Sequence, residues 1–510
     1  MYSVLSFPKI NISERHLYAD MSVIFEILDK DAGGRIGKLR TPHGTVETPT
    51  VMPVINPNIQ LISPKEMKSF GAEILITNSY IIYRKEELRN VALEKGLHGL
   101  LDFDGPIMTD SGSFQLSVYG SVEVTNEEIL EFQKKIGSDI IVPLDIPTPP
   151  DVHFKRAAEE LEITVERLEA ARKLIKGEQL LAGPVQGSTY LDLREKAASR
   201  LKNLNFEVYP LGAVVPLMEA YRYAELVDII AASKKELPPA SPVHLFGAGH
   251  PMMFALAVAL GCDLFDSAAY ALYAKDGRYI TVNGTYHIEK MNYLPCPCPI
   301  CSKYSAEEIK KANNREELLG KHNLYATFAE IRMIKQCIKD GKLLELVEQR
   351  CRAHPRLLDG LKRLYTHSPW LEQLDPAIKG TFFYCGPESA SRPEVLRFGK
   401  RLDKFSLEGS ILIRTNPTKG EKDYDQLLTF KAPFGAFPVE MEEVYPFNAE
   451  VPKFPDYESL GTALSNTIKL MDLNPKAEFT FVCEKDFQHP LIEEICKRAK
   501  LVYRETWKKE

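Results

Sequence analysis

The sequence predicts an α/β protein: a (β/α)8 TIM barrel, a cysteine-bearing subdomain inserted in or appended to it, and a smaller C-terminal α/β or α+β domain. Three observations predict it. From about residue 50 to residue 270, short apolar runs suited to buried parallel strands alternate with longer amphipathic stretches. Eight such runs fall within roughly 220 residues, the span eight βα units occupy. The rhythm then breaks at 291–370, and a different pattern follows from about residue 380. An open, doubly wound sheet is the competing arrangement.

The strand candidates are 51–55, 73–77, 106–109, 139–144, 180–185, 208–215, 242–246 and 262–265. Helix candidates lie between them, near 64–70, 85–96, 126–136, 154–176, 190–203, 219–234 and 251–260. Thr125 and Glu128 form a capping box ahead of Ile129, Phe132 and Ile136, and Gly137 stops that helix. Leu161, Val165, Leu168 and Leu174 mark one apolar face of the next long helix. The segment 366–380 reads as a linker. Beyond it, 409–415 and 477–483 read as strands, and 457–472 and 491–499 as helices. The domains expected are an extension at 1–20, a catalytic barrel at 21–290, a region at 291–370 that completes it, and a C-terminal domain at 380–510.

The 510 residues carry a formal net charge of -6, with 26% charged and 44% hydrophobic residues. This is ordinary globular composition. Nucleic-acid binders are often basic overall, but a protein that grips one nucleic acid needs only a basic face. The N-terminus lacks a long apolar segment and no run approaches membrane-spanning length, so a cytoplasmic protein is expected. Nine cysteines are present and three crowd into 296–301, a pattern of metal binding rather than of a disulfide framework.

Barrel chemistry sits where strands end. Asp110 follows the third strand candidate, Asp145 the fourth and Gln186 the fifth; Asp266 follows the last. One such Asp is often only a helix cap. Three on one rim, each beside Gly, Ser or Pro, suit displacement at a sugar anomeric carbon, one carboxylate as nucleophile and one as acid/base. A carboxylate with a glutamine also suits a base edge that offers N–H donors and a carbonyl acceptor. Cys296, Cys298 and Cys301 in C-P-C-P-I-C, with His322, supply the four ligands of a closed, structural Zn2+ site, one per chain. His244 reads as a satisfied core residue and His250 as a loop-ordering one. The basic runs Arg352, Arg356, Lys362, Arg363 and Lys497, Arg498, Lys500, Arg504, Lys508, Lys509 suit phosphate contacts or a solvated face equally.

The motifs T-D-S-G-S-F-Q, L-D-I-P-T-P-P, V-Q-G-S-T-Y, H-L-F-G-A-G-H-P, L-F-D-S-A-A-Y-A-L-Y-A-K-D-G-R-Y and C-P-C-P-I-C together resemble the archaeal tRNA-guanine transglycosylase family over roughly residues 22–365. The resemblance implies a zinc-bearing TIM barrel, usually a homodimer, that exchanges guanine at D-loop position 15 of tRNA for 7-cyano-7-deazaguanine (preQ0) on the path to archaeosine. It implies Asp266 as the nucleophile on ribose C1′. Asp110 would shuttle the proton and bind the base, Phe114 would stack on it, and Asp145 and Gln186 would read its edge. Backbone groups at Gly212 and Ala213 would complete the pocket. The sequence departs from the family at Ala213, where a second glycine is usual. No PUA domain is seen in 381–510, so a separate PUA-bearing chain is an expected partner beside tRNA, guanine and preQ0. A queuine-type enzyme, an archaeosine synthase-like paralogue and a non-catalytic tRNA-binding subunit are the alternatives. The intact carboxylates disfavour the last two.

Overall fold

A computed structural model describes residues 23–113, 124–417, 421–485 and 487–504. The expected extension at 1–20 lies outside the described residues.

Three antiparallel strands that the sequence reading did not anticipate come first: β1 (Phe25–Asp31), β2 (Gly34–Thr41) and β3 (Gly44–Thr48). They close one end of the barrel. Phe25, Leu39 and Val46 pack in a single cluster with the side chains that fill the barrel interior, among them Met52, Ile76, Met108, Ile140 and Leu264.

The barrel strands are β4 (Thr50–Ile55), β5 (Leu75–Asn78), β6 (Ile107–Asp110), β7 (Ile140–Ile141), β8 (Leu180–Leu181), β9 (Tyr209–Leu211), β10 (Val243–Leu245) and β11 (Leu264–Ser267). They pair in parallel in the order β8-β7-β6-β5-β4-β11-β10-β9. The two ends of that order meet. Ala182 bridges Val208 and Val185 bridges Leu211 in parallel. The Gly183 and Val185 N–H groups donate across the seam to Val208 and Pro210, at 2.9 and 2.7 Å. The ring is therefore closed, and the open-sheet alternative is excluded.

Each expected barrel strand is present, but β7, β8 and β9 are shorter than 139–144, 180–185 and 208–215, and Val215 already opens a helix, Val215–Glu219. Pro143 and Pro184 lack the N–H a ladder needs. Val142 is satisfied instead by the Gln133 side chain, which accepts from its N–H at 3.1 Å and donates to its carbonyl at 2.9 Å. The helices follow the expected pattern, including the capping box that opens Asn126–Lys135. Among the described residues, no helix is long and apolar enough to cross a membrane.

After the barrel comes a hairpin of β12 (Arg278–Thr281) and β13 (Gly284–His287), then a long helix, Arg315–Asp340. The segment read as a linker is helical over Ser368–Leu374, with Ser368 and Leu371 buried. Lys379 just beyond it is almost fully buried, 2.7 Å from Asp31, 2.6 Å from Asp375 and 3.2 Å from Glu394. The stretch thus fastens the barrel to the C-terminal domain. That domain holds a five-stranded mixed sheet, ordered β16-β15-β14-β17-β18: β14 (Gly409–Arg414), β15 (Gln426–Lys431), β16 (Gly435–Pro438), β17 (Ala477–Glu484) and β18 (Ala499–Arg504). The helix expected at 491–499 stops at Cys496, and the β-prone run Leu501, Val502, Tyr503 forms the edge strand instead.

Candidate active site at the barrel mouth

With one end of the barrel closed, the strand ends converge on the opposite mouth. Asp110 is the last residue of β6. Asn78, at the end of β5, donates from Nδ2 to Asp110 Oδ2 at 2.9 Å, and the Gly112 N–H donates to Oδ1 at 3.2 Å. Gly112 has φ +94, and a Cβ there would lie 2.6 Å from Tyr80 Cβ, so this turn takes only glycine. Part of the Asp110 surface still faces solvent, but protein surrounds the carboxyl densely. That burial, with lesser contributions from the charges of Asp145 and Asp266, raises it to about 6.

Asp145 lies just beyond β7 and is buried. Its N–H donates to Ser113 Oγ at 3.0 Å. Gln186, beyond β8, donates from Nε2 to Asp145 Oδ2 at 2.5 Å. Burial raises the Asp145 carboxyl too. With its N–H donated to Asp145, the Gln186 side chain keeps Oε1 buried with no partner among the described residues. An unsatisfied acceptor beside a carboxylate suits a ligand edge that presents N–H donors. Gly212, beyond β9, leaves room for this pair: a Cβ there would sit 2.0 Å from Gln186 Nε2. Ala213 follows with φ +58, a left-handed conformation in a residue that is not glycine.

Asp266 lies in β11, beside Met52 of β4. Its Oδ1 takes two hydrogen bonds, from the Gly247 N–H at 2.5 Å and from His244 Nε2 at 2.8 Å. A carboxylate only accepts, so His244 carries its proton on Nε2. Its Nδ1 has no partner among the described residues. The sequence reading placed His244 in the core; the structure buries it, but against Asp266. Register holds the missing signal. His244 pairs with Leu264, an interior residue, and Asp266 lies two positions further along the same face. His250 does order a loop: Nδ1 accepts from the Met252 N–H, and Nε2 lies 2.9 Å from Thr285 Oγ1. Phe114 lies outside the described residues.

The cysteine cluster lies apart from these carboxylates, where residues before the helix Ala306–Lys311 meet the long helix Arg315–Asp340. The donor atoms of Cys296, Cys298, Cys301 and His322 all lie within 4.8 Å of one another. His322 Nε2 donates to the Ile280 carbonyl at 2.9 Å, which leaves the Nδ1 lone pair facing the sulfurs. Nδ1 is 3.5 Å from Cys298 Sγ and 3.4 Å from Cys301 Sγ. A tetrahedral ion with Zn–S of about 2.3 Å and Zn–N of about 2.0 Å spaces its ligands by about 3.5 Å. The cluster fits a metal ion of that kind.

Five of the ten basic residues singled out in the sequence have carboxylate partners. Arg352 pairs with Glu388, Arg356 with Asp359, Arg363 with Asp228, Lys497 with Glu494, and Arg498 with Asp472 and Glu494. These pairs favour the solvated-face reading. Lys508 and Lys509 lie outside the described residues.

Residues 29–356 match the queuine tRNA-ribosyltransferase family. A Methanosarcina barkeri protein named tRNA-guanine(15) transglycosylase is 88% identical over 490 residues, covering 96% of this chain and 100% of the relative. A Haloferax volcanii protein of the same name is 54% identical, over 89% of each chain. A Methanothermobacter thermautotrophicus protein, also of that name, is 50% identical over 83% of this chain and 67% of the relative.

Proposed function

The chain belongs to the queuine tRNA-ribosyltransferase family, the tRNA-guanine transglycosylases, and from that premise we propose that it exchanges guanine at position 15 of tRNA for preQ0 through a covalent Asp266–ribose intermediate. The observation that carries this reading is the arrangement of two unlike carboxylates. Asp266 is held through Oδ1 by a backbone N–H and an imidazole, while Asp110 is enclosed and raised to about 6.

Asp266 Oδ2 attacks ribose C1′ from the face opposite the base, and the C1′–N9 bond breaks. The bonding pair goes to the purine, and Asp110 delivers a proton as guanine leaves. The incoming preQ0 gives its N9 proton back to Asp110, attacks C1′ and displaces Asp266. One N-glycosidic bond replaces another, so no external energy source is needed, and the covalent stage lets one base leave before the next arrives. Gln186 Oε1 and Asp145 accept from the N–H groups of the purine edge. The Ala213 N–H donates to its carbonyl, and Phe114 stacks on the ring. The target nucleoside must leave its stack to reach the barrel mouth.

In this reading residues 21–290 and 291–370 form the catalytic domain and 380–510 the archaeal-type C-terminal domain. Cys296, Cys298, Cys301 and His322 hold one structural zinc that ties the region after the barrel to the long helix. The working form is a homodimer on the path to archaeosine. A separate PUA-bearing chain assists tRNA binding; full activity and normal tRNA affinity from this chain alone would remove that part.

The test is base exchange with purified protein, labelled guanine or preQ0, and a tRNA transcript. Incorporation is expected with guanosine at position 15, and it should vanish when that position is changed or when Asp266 is replaced by Ala. Equal incorporation into both transcripts overturns the site assignment. An unchanged D266A variant overturns the nucleophile.

A further inference from the structure

Arg194, on the helix Leu191–Leu204, lies behind the seam where β8 and β9 close the ring. It is fully buried. Among the described residues it has no carboxylate partner. Its hydrogen bonds go to three main-chain carbonyls: Ser188 from Nε at 2.9 Å, Val185 from one terminal nitrogen at 2.7 Å, and Gly212 from the other at 3.0 Å. Burial without a counter-charge lowers the guanidinium to about 9, still cationic at neutral pH. An unpaired buried cation is costly, so its bonds must secure something the fold or the site needs.

The three carbonyls belong to the two segments that carry the base-edge groups. Val185 precedes Gln186, and Gly212 precedes Ala213. Both segments have unusual backbone: φ is +53 at Ser188 and +58 at Ala213, values that L-residues seldom adopt. In a planar trans peptide the C=O and the following N–H point in opposite directions. Arg194 draws the Gly212 carbonyl outward, toward its helix. The Ala213 N–H is thereby turned the other way, toward the barrel mouth. The Val185 carbonyl accepts from the Gly212 N–H across the seam at 3.2 Å and takes a second hydrogen bond from Arg194, which ties the peptide leading into Gln186 to the same guanidinium.

We propose that Arg194 is a positioning residue for base recognition, one that locks the Gly212–Ala213 peptide with its N–H facing the bound purine and so selects bases with a carbonyl at position 6 without touching them. This rests on the reading of the mouth as a purine pocket. Without the guanidinium the peptide is free to turn its carbonyl inward. A carbonyl there suits a 6-amino group, so the discrimination between guanine and 2,6-diaminopurine should narrow.

The experiment compares the full-length parent with R194M and R194K in guanine exchange into tRNA, with 2,6-diaminopurine as competitor and thermal melting as the check on folding. For R194M the KM for guanine is expected to rise at least about tenfold, as for loss of a buried hydrogen bond. The kcat at saturating guanine and the KM for tRNA should stay within about threefold, and the guanine preference over 2,6-diaminopurine should fall by a similar factor of about ten. R194K, which keeps a cation and some donors, should fall between parent and R194M. Folded variants with unchanged guanine KM and unchanged preference overturn the proposal; if R194M does not fold, R194K decides by the same two readouts. A parent that exchanges no guanine at all overturns the purine-pocket reading itself, a result distinct from an active parent and indifferent variants.

Discussion

His244 Nε2 lies 2.8 Å from Asp266 Oδ1, and both residues are buried in the barrel mouth. With the Gly247 N–H on the same oxygen, the bond fixes the carboxylate rotamer and directs Oδ2 outward. His244→Leu should slow formation of the proposed covalent tRNA adduct by about tenfold to a hundredfold, the worth of one charge-assisted buried hydrogen bond. His244→Gln, which can keep an N–H near the same place, should recover much of that loss. Single-turnover adduct formation is the measurement. Equal rates for parent and both variants would leave the imidazole a packing residue only.

In the proposed exchange, the raised carboxyl of Asp110 would give the two half-reactions opposite pH dependences. With Asp110 as the proposed proton donor, guanine departure should slow as pH rises through about 6. Capture of the incoming base needs it ionised, so that step should slow as pH falls through the same value. Stability follows the same group. The fold binds this proton more tightly than the unfolded chain, so Asp110 destabilises the protein above about pH 6 and is neutral below about pH 4. Asp110→Asn should therefore stabilise the fold at pH 8 by about 1–3 kcal/mol and leave it unchanged at pH 3.5. Urea unfolding at the two pH values checks the sign; an equal shift at both would assign the effect to packing.

Much of this architecture is legible in the residues, and the exceptions have physical causes. The eight barrel strands show as apolar runs because each is buried on both faces. β1–β3 escape notice because their alternation is interrupted by buried charges, Asp31 and Arg35. The hairpin of β12 and β13 turns at Val282-Asn283, with Thr281 paired to Gly284, a short reversal that periodicity alone passes over. At the site, Asp110, Asp145, Gln186 and Asp266 are visible because each lies at or just beyond the end of an apolar run. His244 and Arg194 are not, because their meaning lies in strand register and in carbonyls distant in the chain. Composition exposes neither.

The Cys3His cluster joins three cysteines ahead of the long helix to His322 within it. With the proposed zinc bound there, treatment with a chelator, or Cys298→Ser, should lower the melting temperature by several degrees, since structural metal binding contributes directly to folding. At low temperature the exchange rate per folded molecule should change by less than about threefold, because a closed four-ligand site leaves no position for substrate. A rate that collapses while the melting curve is unmoved would make the metal catalytic.

Lys379 holds three carboxylates, Asp31, Asp375 and Glu394, between barrel and C-terminal domain, with only 2% of its side chain exposed. Replacing it by Met leaves them short of a cation in a buried place. Breaking such a cluster from one side costs about 3–5 kcal/mol. The loss should shrink in acid. Burial raises Asp31, and burial with the Glu394 charge raises Asp375 to about 6, even with the lysine present. Without it these carboxyls rise further, so the folded K379M protein takes up protons that its unfolded chain does not, and its stability climbs as pH falls from 8 toward 5. Urea unfolding of parent and K379M at pH 8 and pH 5.5 measures this. A deficit of the same size at both pH values would show that the lysine stem, not its charge, holds the two domains together.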